Sequence, residues 1–213
     1  MNELIGYLQE NDYSLKEELV LKIAILAEKF ALILNWYIDI VVKLIEHAGD
    51  YVSEDIWFRV TQIVTGFGDA EPNLELQKYA AQKLFAALQV PHVHETLVKL
   101  GSYIIAEFGF LVADEPGRDF VRQFETLAKH FPNCSARARG MILNAYIKIA
   151  RMSPAARALT LTAFRANADY WDEDIQQRAC EYIRLLEQIE GGGADGDLAD
   201  QALEKMPTFS DEL

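Results

Sequence analysis

The chain has 213 residues, 51% of them hydrophobic, with 12 Gly and 6 Pro, which suffices for a substantial buried core and excludes disorder as the default. Sparse Gly and Pro, with Ala, Leu, Ile, Glu, Lys and Gln filling the long segments, exclude all-β and collagen-like architectures. Thirty-three acidic against 20 basic residues give a formal charge of −13, which disfavours a sequence-independent grip on nucleic-acid phosphates.

The two cysteines, Cys134 and Cys180, form no Cys-x-x-Cys pair and fit a reducing, intracellular setting, both read as buried thiols. Met1–Gly6 lacks the basic and apolar regions of a signal peptide. The least charged stretch, Leu100–Val112, still carries Glu107 and falls short of a membrane span. The chain reads as soluble.

In chain order, a short helix is expected around Leu4–Leu8. Leu15, Leu19, Ile23, Leu26, Phe30 and Ile33 then share one face of a long helix. Ser14-x-x-Glu17 is a capping box at its start, and Val20, Ala24, Ala27, Ala31 and Leu34 form a neighbouring apolar face, so the helix is expected to be covered on two sides. Asn35-Trp36 interrupts the pattern. A second run from Tyr37 through Ile45 ends at Ala48-Gly49. Ser53 caps a helix over Ile56–Thr65, with Glu54 and Asp55 at its positive end, and Gly66-Phe67-Gly68 stops it. Further helices are expected at about 74–88, 93–111, 118–130, 136–151, 154–167, 172–189 and 197–205. Polar punctuation separates them, including Ser153-Pro154 with Pro at the first helical position. About ten amphipathic helices joined by short turns define an all-α fold, an α-α superhelix of HEAT/armadillo-like pairs. The expected division is a solenoid over 1–190, a Gly-rich loop over 191–196, and a terminal helix with the start of a hinge over 197–213.

Chemistry-bearing residues are few. His92, His94 and Glu95 are the one His/carboxylate cluster; two His at i, i+2 on a helix start converge poorly on a metal, and packing and capping explain them better. Glu107 is the sole charge between Leu100 and Val112. A raised-pKa carboxylate is one reading, but Ser102, Ala106 and Gly109 on one face favour a close helix crossing, with Glu107 bonded to a neighbouring helix or to an Arg. No nucleophile elbow, phosphate loop or dinucleotide fingerprint occurs. No catalytic, cofactor-binding or metal residue is assigned, and no partner-contact residue either. From Thr126 to Ala168 there is no Asp or Glu, while Lys129, Arg137, Arg139, Lys148, Arg151, Arg157 and Arg165 give +7 against −20 elsewhere. These form either a basic stripe for an acidic partner or lipid headgroups, or, more simply, faces that pair with the acidic remainder.

Five segments carry a resemblance: Lys16–Phe30, Leu44–Val64, His94–Gly109, Ile175–Leu185 and Leu203–Phe209. In this order the chain resembles the trunk of the alpha-adaptins, large chains of adaptor protein complex 2 in clathrin-mediated endocytosis. The resemblance implies a HEAT-like scaffold, not an enzyme and without cofactors, the C-terminal part of a trunk ending near the hinge. It implies assembly with a beta-type large chain, a medium mu chain and a small sigma chain, contact with clathrin through the whole complex, and a place on the cytosolic face of the plasma membrane at coated pits. The family's basic phosphoinositide site and its dileucine-cargo contribution lie near the start of the trunk, outside this sequence, so no site residue carries over. A nuclear-transport-like receptor is the alternative, needing a regular Trp/Asn ladder that Trp36, Trp57 and Trp171 do not form; a metal-dependent hydrolase using His92, His94 and Glu95 is the third reading.

Overall fold

The computed structural model describes residues 5–6, 8, 13–68 and 71–210. Ten α-helices occur among these residues: α1 Tyr13–Phe30, α2 Leu34–Ala48, α3 Glu54–Thr65, α4 Leu74–Ala87, α5 Glu95–Phe108, α6 Phe120–Ala128, α7 Ala136–Met152, α8 Pro154–Asn167, α9 Glu173–Gly191 and α10 Gly193–Ala202. The principal contacts join helices one or two places apart in the chain, such as α2 with α4, α7 with α8 and α7 with α9. This is the HEAT/armadillo-like α-solenoid class, in which each amphipathic helix is completed by its sequence neighbours. Most of the helix expected around Leu4–Leu8, and the side chain of Ser14, lie outside the described residues.

The chain divides into two compact units, Met1–Gly101 with Pro207–Leu213, and Ser102–Met206. In the first, α2 is the central element, burying Tyr37, Ile38, Ile40, Val41, Val42, Leu44, Ile45 and Ala48. The α3 side chains Ile56, Trp57, Val60 and Val64 and the α4 side chains Leu76, Ala80, Ala81 and Leu84 complete this core. Gln77, fully buried on α4, donates to the Val64 carbonyl at 3.2 Å, which satisfies a polar group that would otherwise be costly there. Asp39 on α2 accepts from the Tyr79 hydroxyl at 2.9 Å and pairs with Lys83 at 2.8 Å. Burial, with Asp39 beside it, pushes the Tyr79 phenol up to about 12.

Several expected boundaries move. The first break comes at Ala31–Ile33, where Ile33 takes an extended conformation (φ −134°, ψ 124°) before α2; the apolar period of α1 runs straight on into α2 and hides the break. Ser53 occupies the N-cap of α3 with extended backbone, yet its side chain makes no cap bond. Gly66 and Gly68 have positive φ, 100° and 54°, a region open to Gly at little cost. Between them Phe67 forms an isolated parallel bridge with Phe209: the Phe209 N–H donates to the Gly66 carbonyl at 2.9 Å, and the Gly68 N–H to the Phe209 carbonyl at 2.8 Å.

In the second unit α7 is central, burying nine of its 17 residues, among them Ile142, Leu143, Tyr146 and Ile149. Side-chain caps set the helix starts: Asp119 accepts from the Val121 and Arg122 amides, Ser135 from Ala138, Ser153 from Ala156, and Asp172 from Ile175. Helix α5 stops at Phe108, short of the expected 111, and a 3-10 turn follows over Gly109–Val112. Buried Gln123 donates to the Gly109 carbonyl at 2.8 Å, and a Cβ at Gly109 would overlap its side-chain oxygen. The Gly-rich stretch 191–196, expected as a loop, is helical on both sides of one residue: α9 runs through Gly191, Gly192 turns at φ 65°, and α10 begins at Gly193. At Gly196 a Cβ would meet the Gln188 carbonyl oxygen at 2.8 Å, so the close approach of α10 to α9 explains a glycine that composition alone reads as linker. No helix among the described residues is long and apolar enough to cross a membrane.

Candidate interaction surfaces

His92, His94 and Glu95 do not converge. The His94 ring lies over Gly49, where a Cβ would overlap it, and its Nε2 pairs with the Asp50 carboxylate at 2.8 Å. Its Nδ1 accepts the Thr96 amide at 3.2 Å, which makes the imidazole a cap for α5. Glu95 pairs with Lys99 at 3.1 Å one turn along, and His92 is exposed. Among the described residues no group of three metal-ligating side chains forms.

Glu107 is the buried charge of the second unit, at 5% exposure. Lys148 of α7 donates to its Oε1, and the Met206 amide donates to its Oε2 at 2.9 Å. Lys148 also donates to the Glu204 carbonyl at 3.2 Å. One turn along α7, Arg151 grips both oxygens of Asp200 at 2.7 and 2.9 Å and the Leu203 carbonyl at 3.3 Å. That bidentate grip holds the Asp200 carboxyl below the usual aspartate range. Buried Glu107 and the half-buried Lys148 and Arg151 thus bind the backbone of residues 203–206, laying this segment beside a cleft of about 170 Å³ lined by Ala106, Phe110, Phe120, Ile149 and Met152. Lys205 stands 4.8 Å from the Phe108 ring centre, and burial lowers its ammonium pKa. The reading of Glu107 as a helix-to-helix tie matches this geometry; its second partner, a backbone amide 99 residues away, carries no mark in the sequence.

The basic run is mostly used internally. Besides Lys148 and Arg151, Arg157 pairs with Glu190 at 3.6 Å and donates to the Ala150 carbonyl at 3.2 Å. Arg139 donates to the Phe131 and Pro132 carbonyls at 3.0 and 2.7 Å and to the Tyr170 hydroxyl. The acidic partners Glu107, Glu190 and Asp200 lie on either side of the acid-free stretch, so three of its seven cations, Lys148, Arg157 and Arg151, pair with carboxylates from outside it. Cys134 is buried as expected, whereas Cys180 is exposed. Helix α9 turns Ile175, Ala179 and Leu186 inward, and Cys180, about 100° round from Ala179, misses that stripe.

Exposed apolar residues occur along much of the chain, and the two most exposed large ones are Leu32 and Trp171. Phe30, Leu32 and Ile33, at the turn after α1, are 62%, 99% and 65% exposed. Trp171, between α8 and α9, is 80% exposed, whereas Trp57 is buried. A regular tryptophan ladder is not what these positions make.

Amphipathic helices each completed by their sequence neighbours define a protein of the α-solenoid class. The family profile described as the adaptin N terminal region matches residues 1–190. The chain is 44% identical over 209 residues to AP-2 complex subunit alpha-2 of Dictyostelium discoideum, 39% over 213 residues to AP-2 complex subunit alpha-1 of Arabidopsis thaliana, and 32% over 209 residues to AP-2 complex subunit alpha of Schizosaccharomyces pombe. The chain belongs to the adaptin family, with alpha subunits of AP-2 complexes among its relatives. Each alignment covers 98% of this chain but only 20–22% of the relative, so the chain spans about a fifth of the length of the curated relatives it matches.

Proposed function

We propose that the chain is a non-catalytic scaffold segment of the alpha-type large subunit of a clathrin adaptor complex 2, acting in subunit assembly for endocytosis and vesicle-mediated protein transport. One observation carries this reading: similarity over 98% of the chain to alpha subunits of AP-2 complexes from an amoeba, a plant and a fission yeast. The partners are then a beta-type large chain, a medium mu chain and a small sigma chain, with clathrin engaged through the whole complex. The setting is cytoplasmic and complex-associated, on the cytosolic face of the plasma membrane at clathrin-coated pits. Residues 1–190 act as the C-terminal part of the trunk solenoid, the turn at Gly192 leads into the last helix, Gly193–Ala202, and a hinge starts after it.

The geometry supports a scaffold by supplying stiffness. Buried ion pairs such as Glu107–Lys148, and side-chain caps at successive helix starts, fix neighbouring helices against one another inside each unit. The test is co-expression of the chain with the beta-type, mu and sigma chains, followed by size-exclusion chromatography with mass determination. A stoichiometric complex supports the proposal. A chain that stays monomeric beside an assembled remainder, and that gains no partner when supplied within a full-length alpha subunit, overturns it.

A further inference from the structure

The turn between α8 and α9 carries a feature that helix stacking does not use. Trp171 is 80% exposed, yet the backbone that presents it is braced from within. Arg139 of α7 donates to the Tyr170 hydroxyl and lies 5.6 Å from the Tyr170 ring centre, while its other nitrogens are fixed on the Phe131 and Pro132 carbonyls. The Tyr170 amide donates to the Asn167 carbonyl at 3.2 Å, and the Asp172 side chain caps α9 through the Ile175 amide at 3.2 Å. The Tyr170 and Trp171 rings lie 5.7 Å apart. The indole is thus a presented side chain on a held turn, with much of its ordering cost already met before any partner arrives.

Every charged residue from 169 to 174 is acidic. Asp169 and Glu173, two positions to either side of Trp171, are exposed; Asp172 serves the cap and Asp174 pairs with Arg178 at 2.9 Å. An indole face attracts a cation, and Arg139 against Tyr170 shows the same contact already made inside the unit. We propose that Trp171, flanked by Asp169 and Glu173, is a docking point for an arginine-bearing segment of a partner protein, with the guanidinium over the indole and the carboxylates accepting its N–H groups. The proposal does not rest on the subunit assignment and stands whether or not that assignment holds.

The test uses the 213-residue chain and two synthetic peptides, acetyl-(Gly-Arg)4-amide and its citrulline counterpart, which keeps shape and hydrogen bonding but lacks the charge. Binding is followed through the Trp171 indole N–H resonance, assigned by its loss in Trp171→Ala. The arginine peptide is expected to shift that resonance and the citrulline peptide to leave it in place. Trp171→Ala should weaken the arginine peptide by about two- to five-fold, and Asp169→Asn with Glu173→Gln by a similar factor that shrinks as salt is raised. Equal affinity of the wild type and Trp171→Ala, or equal shifts from both peptides, overturns the proposal.

Discussion

Helices α1 and α7 are nearly equal in length, 18 and 17 residues, and both are rich in apolar side chains, yet they are dressed in opposite ways. Helix α7 buries nine residues, and its Lys148 and Arg151 bind acids brought from outside the acid-free run. Helix α1 buries Val20, Ile23, Ala24 and Ala27 on one side and leaves Leu15, Leu21, Ile25, Leu26 and Phe30 exposed. An apolar period says that a helix forms and which stripes want cover; the neighbours decide which stripe receives it. The expectation that α1 is covered on two sides is therefore met on one of them among the described residues.

This contrast can be broken by substitution. The largest effect is expected at Glu107, because removing one partner of a buried pair strands the other. Glu107→Ala should cost about 3–4 kcal/mol in denaturant titration of the second unit, and joint replacement of Glu107 and Lys148 by Met should restore most of it. Next, Leu143→Ala on α7, fully buried, should cost about 3 kcal/mol. The matching Ile25→Ala on α1, at 55% exposure, should stay within about 0.5 kcal/mol. Equal losses at the two sites would abolish the distinction. Third, Gly49→Ala drives a methyl into the His94 ring and should cost about 1–2 kcal/mol, with His94→Ala in the same chain relieving it.

The smallest effect sharpens the account of residues 200–206. Arg151 holds the Asp200 carboxyl below its ordinary value by a hydrogen bond and by charge. A carboxyl with a lowered folded-state pKa adds stability that is present above its unfolded value and fades as pH falls through the folded one. Hydrogen-exchange protection in α10, relative to the intrinsic rate at each pH, should therefore fall below about pH 4, and Asp200→Asn should show little of that acid-side change, being slightly less protected already at neutral pH.

Much of the fold was legible because it is written locally. Ser153 before Pro154, Gly66 after Thr65, and the apolar run from Tyr37 through Ile45 each fix an element within a few neighbouring residues. The ties that organise the second unit are not local: Lys148 meets Glu107 across 41 positions and Arg151 meets Asp200 across 49. No spacing rule reaches that far, so the basic run displayed its sign but not its partners. The Gly191–Gly196 stretch misled for another reason. Composition cannot separate a glycine chosen for freedom from one chosen because a neighbouring carbonyl leaves no room for a side chain, as at Gly196. Trp171 likewise reads as one more helix-flanking aromatic until its exposure is known.

The bridge between Phe67 and Phe209 sets an origin for whatever is joined behind it. Two backbone hydrogen bonds hold Phe209 to the glycines on either side of Phe67, so a fused or continuing segment departs from the Gly66–Gly68 turn and not from the end of α10. Its reach is measured from that point, and for a flexible tether the distance it spans grows only with the square root of the residues beyond Phe209. Replacing Gly68, whose positive φ suits few other residues, would loosen the mooring and lengthen the leash by the residues set free behind it, without altering the tether's sequence.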